Sequence, residues 1–142
     1  MAKIKPEIYR KILMGLDLRK IYIRNFSGGI KSDVIGKVLS VNITSSRANF
    51  VTKDENLIEI LQDWTVIAKE KKSQKECLNI SVTYCLNMHS KENFTKEFLE
   101  VYQKTSLPLN VWPFVREFIN NMTARMNLPP LTLPLFKMLP KR

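Results

Sequence analysis

The residues of this chain that could carry acid–base or nucleophilic chemistry are few and do not fall at catalytic spacings. His89, the only histidine, lies near a turn, where a solvated side chain is the ordinary case. Glu59 and Asp63 could act as paired carboxylates, but alternate positions on the polar face of a strand are usually solvated. Gly28-Gly29 lacks the spacing of a phosphate-binding loop. The sequence therefore predicts neither an enzyme nor a cofactor.

The two cysteines, Cys77 and Cys85, predict neither a metal site nor a disulfide. Together with a single histidine they match no zinc-ligand spacing. At the rise of a strand they would lie roughly 26 Å apart, far beyond the reach of a disulfide. We therefore expect two free thiols, no bound metal and a reducing compartment.

The chain is strongly basic, because 23 lysines and arginines against 13 acidic residues give a net charge of +10. The basic residues concentrate in the first quarter of the chain, in the turn 69–75 and at the C-terminus. Such a surface attracts nucleic acid, acidic protein or anionic membrane. The aromatic residues fall at apolar strand positions rather than among the lysines, unlike those of RNA-stacking sheets. Nucleic-acid binding is therefore the less favoured interpretation.

Length and hydropathy limit the architecture and the compartment. The 142 residues suffice for one domain spanning 1–142, with residues 1–14 as a short N-terminal helix or arm, whose helix is expected over residues 6–14. No segment has the apolar length of a membrane span, and the N-terminus lacks the apolar core of a signal peptide. We therefore expect a cytoplasmic protein that does not insert into membranes.

Alternating apolar and polar residues predict four strands, and a functional site on this part of the chain would be built on them. They cover residues 16–26, 39–51, 57–69 and 78–88, and the last has the most regular alternation. The third places Trp64 on its apolar parity. In the first, Tyr22 and Phe26 share the parity of Leu16 and Leu18, whereas Ile21 and Ile23 break it. That break leaves open a β-bulge or burial on both faces.

Helical spacing follows the strands in two segments separated by Pro108. The first covers residues 90–105, and the second begins at the N-cap Asn110 with Pro113 in its first turn. Asn127 is expected to end the second helix in the left-handed conformation, before Pro129-Pro130. Strands followed by helices predict an α+β fold, a four-stranded antiparallel sheet followed by two helices packed on one face.

The C-terminal residues resemble the signature of the SecB family of export chaperones. An aromatic-Pro-aromatic-x-Arg-Glu start leads into a helix, and a segment rich in leucine and proline follows. The matching positions are Pro108, Trp112, Pro113, Phe114, Arg116, Glu117, Ile119, Met122, Arg125, Pro129, Leu131, Leu133 and Pro134. The dense match covers roughly a fifth of the chain, and the rest agrees in the order of its elements.

The resemblance implies an ATP-independent chaperone that holds unfolded polypeptides or preproteins, as a dimer or a tetramer. It implies a polypeptide-binding groove lined by Tyr22, Phe26, Trp64, Leu131, Leu133 and Phe136. It also implies an oligomer interface formed by Trp112, Ile119, Met122 and Met126. For each of these residues, packing in the protein core is the alternative.

The charge of the chain departs from the family pattern. The resemblance implies an acidic surface that docks the basic tail of SecA. This chain is basic instead, so SecA binding is left open. Basic charge would suit a chaperone dedicated to one acidic partner, such as an antitoxin. A nucleic-acid-binding protein on the same fold and a purely structural oligomer are the remaining alternatives.

Overall fold

A computed structural model of the protein describes residues 4–34, 36–128, 131 and 133. The elements in chain order are α1 (Pro6–Met14), β1 (Leu16–Ile30), β2 (Leu39–Ser45), β3 (Asn49–Thr52), β4 (Leu57–Glu70), β5 (Glu76–Ser90), α2 (Lys96–Lys104) and α3 (Ser106–Arg125). They form two compact units, Met1–Val101 and Tyr102–Arg142, so the strands belong to the first and α3 to the second. The predicted α+β class, with an antiparallel sheet and helices, is confirmed.

The sheet is antiparallel in the order β1-β5-β4-β2, and β3 also pairs with β4. One continuous strand over residues 39–51 was the wrong prediction, because the chain leaves the ladder between β2 and β3. There the Ser46 amide donates to the Asp63 carbonyl at 2.9 Å, and the Gln62 amide donates to the Ser46 carbonyl at 3.1 Å. These bonds satisfy the backbone where regular pairing stops.

The even-numbered residues of β4 and β5 form the core face of the sheet. Every even position from Ile58 to Ala68, and from Leu78 to Met88, is buried. Gln62 is the polar member of this set, and its side-chain oxygen accepts a hydrogen bond from the Trp64 indole at 3.1 Å. A buried amide is stable here because both of its polar atoms have partners.

Strand β1 contains two register shifts against β5, between Leu18 and Lys20 and between Ile23 and Asn25. The open choice between a bulge and two-faced burial is thus decided in favour of bulges. Because of the two shifts, the side chains of Leu18, Ile21, Ile23 and Phe26 all lie on the core face, although the four residues do not share one parity. Tyr22 instead pairs with Cys85 on the polar face, so its predicted parity with Phe26 was wrong.

Helices α1 and α2 are tied together by aromatic contacts within the first unit. The rings of Tyr9 and Phe98 lie 5.0 Å apart, and those of Phe94 and Phe98 lie 6.0 Å apart. Helix α1 has its predicted bounds. Helix α2 begins later than predicted, because β5 continues through Ser90 and the Thr95 hydroxyl caps the Phe98 amide at 3.1 Å.

Helix α3 starts at Ser106, four residues before the predicted N-cap Asn110. Pro108 lies in its first turn, where an absent N–H costs nothing, and therefore does not separate two helices. Pro113 consequently lies inside the helix. The prediction for Asn127 is confirmed by its φ of +59° just after the helix.

Candidate polypeptide-binding surfaces

An exposed line of apolar side chains follows β1 on the core face of the sheet. Leu18, Phe26 and Ile30 are 37%, 58% and 47% exposed, and Ile21 and Ile23 lie half-buried between them. We call these five residues the β1 apolar row. Strand β1 forms an edge of the sheet, so each member has a neighbouring strand on one side only. The row lies opposite β5 from Met88 to Leu78, so at about 3.3 Å per residue it is roughly 33 Å long, enough for about ten residues of an extended chain.

The register of β1 explains how this chain exposes the row. Phe26 lies opposite Val82, and Ile30 lies opposite Leu78, both buried residues of β5. The same face is therefore buried at the centre of the sheet and open at its edge. Ile30 was not predicted as part of this strand, because Ser27-Gly28-Gly29 is typical of a turn that ends a strand. In the structure β1 continues through both glycines.

The opposite, polar face of the sheet carries carboxylates that already have partners. The Arg24 guanidinium lies 3.4 Å from Glu59, and the Arg19 side chain lies 3.9 Å from Asp17. The Thr83 hydroxyl donates to Asp63 at 2.5 Å. The two arginines lie close to carboxylates of this face, so part of its negative charge is offset by positive charge.

Tyr22 lies on this polar face beside a buried thiol. A hydrogen bond with the Cys85 side chain is the main cause that raises the pKa of Tyr22 above its ordinary value near 10. The phenol therefore stays neutral at physiological pH. It offers a hydroxyl to a partner, but no charge.

The predicted lining residues do not share one surface. Tyr22 and Phe26 lie on opposite faces of the sheet, and Trp64, 4% exposed, belongs to the buried core face. In the second unit, Leu133 is 2% exposed and Leu131 is half-buried. Phe136 lies outside the described residues. Within the first unit, Phe26 is thus the predicted lining residue on the β1 apolar row.

Leu131 and Leu133, which follow α3 in the chain, are held against that helix by side-chain hydrogen bonds. The Arg116 guanidinium donates to the Leu133 carbonyl at 2.6 Å, and the Asn120 amide donates to the Leu131 carbonyl at 3.5 Å. The Leu131 amide donates to the Thr123 hydroxyl at 2.9 Å. Successive turns of α3 therefore supply the partners that this backbone needs.

Two of the four predicted interface residues have little surface left for a partner. Ile119 is fully buried and Trp112 is 7% exposed within the single chain. Met122 and Met126 are half-buried, so they retain surface on the last turns of α3. The buried side chains of α3 are those of Leu107, Val111, Trp112, Val115, Phe118, Ile119 and Thr123.

The chemistry-bearing residues remain dispersed in the structure. His89 lies in β5 between Asp17 and Leu57 on the neighbouring strands, and both cysteines are free and buried. Among the residues that the structure describes, no three histidine, cysteine or acidic side chains are grouped as metal ligands.

A cleft of about 570 Å³ lies between the β3–β4 turn and the start of α2. Its polar lining is largely satisfied internally: the Asn93 amide donates to Glu55 at 3.5 Å, and Asp54 accepts the Asn56 amide at 2.7 Å. Nothing in this lining assembles a nucleophile with a base.

In the described part of the chain, no helix is both long and apolar enough to cross a membrane.

The fold is similar to that of a solved SecB-like chaperone, Rv1957 of Mycobacterium tuberculosis, in complex with a ChAD peptide from the Rv1956 HigA1 antitoxin. The TM-score is 0.81 at 14% identity, over 94% of this chain and 99% of that chain. A protein of unknown function from Streptococcus agalactiae matches with a TM-score of 0.48 at 13% identity, over 84% and 97% of the two chains. No family model and no curated protein sequence matches. This protein therefore has the SecB-like chaperone fold.

Proposed function

We propose that this protein is an ATP-independent chaperone that holds unfolded polypeptides in the cytoplasm. The observation that carries the proposal is the β1 apolar row, with Phe26 58% exposed on an edge strand beside the buried core face of β5. A continuous exposed apolar surface on a folded protein commonly marks a site where another chain binds. The shared SecB-like fold supports the same function.

An extended client would lie along the row and bury its own apolar side chains against it. Apolar burial contributes about 25 cal/mol per Å² and has no directional requirement, so many sequences would bind with similar affinity. Tight binding would need several apolar residues of the client to engage at once. This is the behaviour required of a protein that holds unfolded chains.

We also propose that the protein forms a dimer or a tetramer. In the described part of the chain β1 has a neighbouring strand on one side only, so its outer edge is open to strand pairing with a second copy. Met122 and Met126 supply half-buried apolar surface on α3. In this arrangement, backbone groups join the copies, and the side chains of the row remain available to clients.

Replacing Leu18, Phe26 and Ile30 together by threonine should weaken the capture of an unfolded client at least about 10-fold. Threonine keeps strand propensity but removes most of the exposed apolar area. The dissociation constant would be measured by fluorescence anisotropy with a labelled, permanently unfolded protein. Light scattering should show that the variant keeps the oligomeric mass of the wild type.

The matched control replaces Lys20, Asn25 and Ser27 by threonine. These residues are exposed on the same strand but lie on its polar face, opposite Asn87, Thr83 and Ser81. The control should capture the client like the wild type. Unchanged capture by a folded row variant, or equal loss in both variants, would remove the row as the client surface.

A chaperone dedicated to one partner is the second candidate. It is supported by the Mycobacterium tuberculosis protein of the same fold, which was solved with an antitoxin peptide. Displacement of a labelled client by unrelated unfolded proteins would favour general holding, and resistance to displacement would favour a dedicated partner. Export through SecA has less support, because Asp17 and Glu59 already form ion pairs with arginines.

A further inference from the structure

One end of the sheet concentrates lysines from three separate segments. The Lys31 amide donates to the Cys77 carbonyl at 2.7 Å, and the Lys71 amide donates to the Val38 carbonyl at 2.9 Å. The first bond joins the residue after β1 to the start of β5, and the second joins the β4–β5 turn to the residue before β2. We call the basic end the six lysines Lys31, Lys37, Lys69, Lys71, Lys72 and Lys75. The acidic residues of the same segments are Asp33, Glu70 and Glu76.

Five of the six lysines are exposed, and the three acidic residues of these segments leave a net charge of +3. Lys37 forms an ion pair with Glu70 at 3.4 Å, whereas none of the other five lysines is in an ion pair within the described part of the chain. The turn that carries three of them is fixed by Gln74, whose amide donates to the Glu70 carbonyl at 2.8 Å and whose φ is +60°. Lys71, Lys72 and Lys75 are therefore presented together from a defined turn.

The β1 apolar row leads directly to the basic end. Ile30, the last residue of the row, is followed at once by Lys31. Across the sheet, Ile30 pairs with Leu78, Leu78 with Ala68, and Ala68 with Val41. Val38 and Val41 are 67% and 38% exposed on the other side of this end. Lysines and exposed aliphatic side chains thus lie at the same end of the sheet, with the buried Leu78 and Ala68 between Ile30 and Val41.

We infer that this chaperone selects clients in which an acidic segment adjoins a run of aliphatic residues. The aliphatic residues would lie on the β1 apolar row while the carboxylates lie among the lysines of the basic end. This inference rests on the proposed holding function and names its client class. A polypeptide fits better than nucleic acid, because the exposed neighbours of these lysines are aliphatic, and single-stranded bases need aromatic side chains to stack on.

Salt distinguishes the two parts of this interaction. Attraction between exposed charges is screened over about 10 Å at 0.1 M salt, whereas apolar burial is not weakened by salt in this way. Electrostatic complementarity also selects between partners of equal apolar content. An acidic client should therefore bind more tightly than a neutral one at low salt, and the difference should shrink as salt is added.

The test uses two labelled peptides with identical aliphatic residues, one carrying a cluster of glutamates at one end and the other glutamines. At about 50 mM salt the wild type should bind the glutamate peptide about 10-fold more tightly. Replacing Lys71, Lys72 and Lys75 by glutamate should abolish this preference while leaving the glutamine peptide's affinity unchanged. A glutamine version of the same variant, with a melting curve, covers the case in which charge reversal disturbs folding.

The matched control reverses three exposed lysines at the other end of the sheet, Lys53, Lys91 and Lys96. It has the same net charge as the turn variant and should retain most of the preference. Equal binding of the two peptides by the wild type, or a preference that survives in the turn variant, would overturn the inference but not the holding function. If neither peptide binds, both proposals fail. Tighter binding of a single-stranded RNA that the turn variant loses would reassign the basic end to nucleic acid.

Discussion

Trp64→Ala is expected to lower the free energy of unfolding by about 3–5 kcal/mol, a large part of the stability of a domain this size. The side chain is 4% exposed on the core face of β4 and lies opposite Val82 of β5. Its removal leaves a cavity and takes the indole donor from the Gln62 oxygen. Urea unfolding followed by circular dichroism would measure the change.

Phe26→Ala is the matched comparison, an aromatic residue on the same face that is 58% exposed at the sheet edge. Its unfolding free energy should change by at most about 1 kcal/mol, since little buried area is lost, whereas client capture should weaken. The opposite pattern, a stable Trp64 variant that loses capture, would make Trp64 a groove residue, as the family resemblance implies.

Gly28→Ala is expected to lower the free energy of unfolding by about 2–4 kcal/mol, because both sterics and backbone conformation require glycine there. A Cβ at this position would lie 2.1 Å from the Asn79 carbonyl oxygen, and φ is +133°. Relief would need the end of β1 to separate from β5. Thermal and urea unfolding would report the loss, and hydrogen exchange would locate it at this strand pair.

Gly29→Ala supplies the control one residue away. A Cβ there would meet no atom within 4 Å, and its φ is not in the left-handed region. The variant should be neutral or more stable by a few tenths of a kcal/mol, since alanine restricts the unfolded chain. Equal destabilisation by both substitutions would show that the close contact with Asn79 is not what requires glycine at position 28.

The elements that follow one local rule could be predicted from the sequence. β5 has an apolar residue at every even position from Leu78 to Met88, because that face of the strand is buried. Asn127 could be assigned because few residue types tolerate its left-handed conformation. Helix α1 could be bounded by Pro6 and Gly15, which have the expected places at its two ends.

The register of β1 could not be predicted, because bulges depend on the partner strand rather than on parity. The same limit applies to the break between β2 and β3, where the Ser46 backbone exchanges hydrogen bonds with Gln62 and Asp63 of β4. The start of α3 was misplaced because Pro108 and Pro113 are both compatible with a first turn. Local sequence offered two acceptable starts, and the chain uses the earlier one.

The candidate site was predictable in kind but not in membership. Phe26 and Trp64 look alike in the sequence, since each is an aromatic residue on the apolar parity of a strand. They differ because the order β1-β5-β4-β2 puts one strand at the edge and the other in the interior. That order arises from long-range pairing, which no local pattern encodes. The sequence therefore predicted apolar surfaces without identifying which of them stays exposed.

The most direct measurement is the capture of a chemically unfolded, slow-folding protein on dilution, followed by light scattering at low and at moderate salt. The folded wild-type protein should suppress aggregation at both salt concentrations, because the β1 apolar row binds clients by apolar burial. Unsuppressed aggregation at both concentrations would contradict a holding function, and suppression only at low salt would assign capture to charge instead of the row.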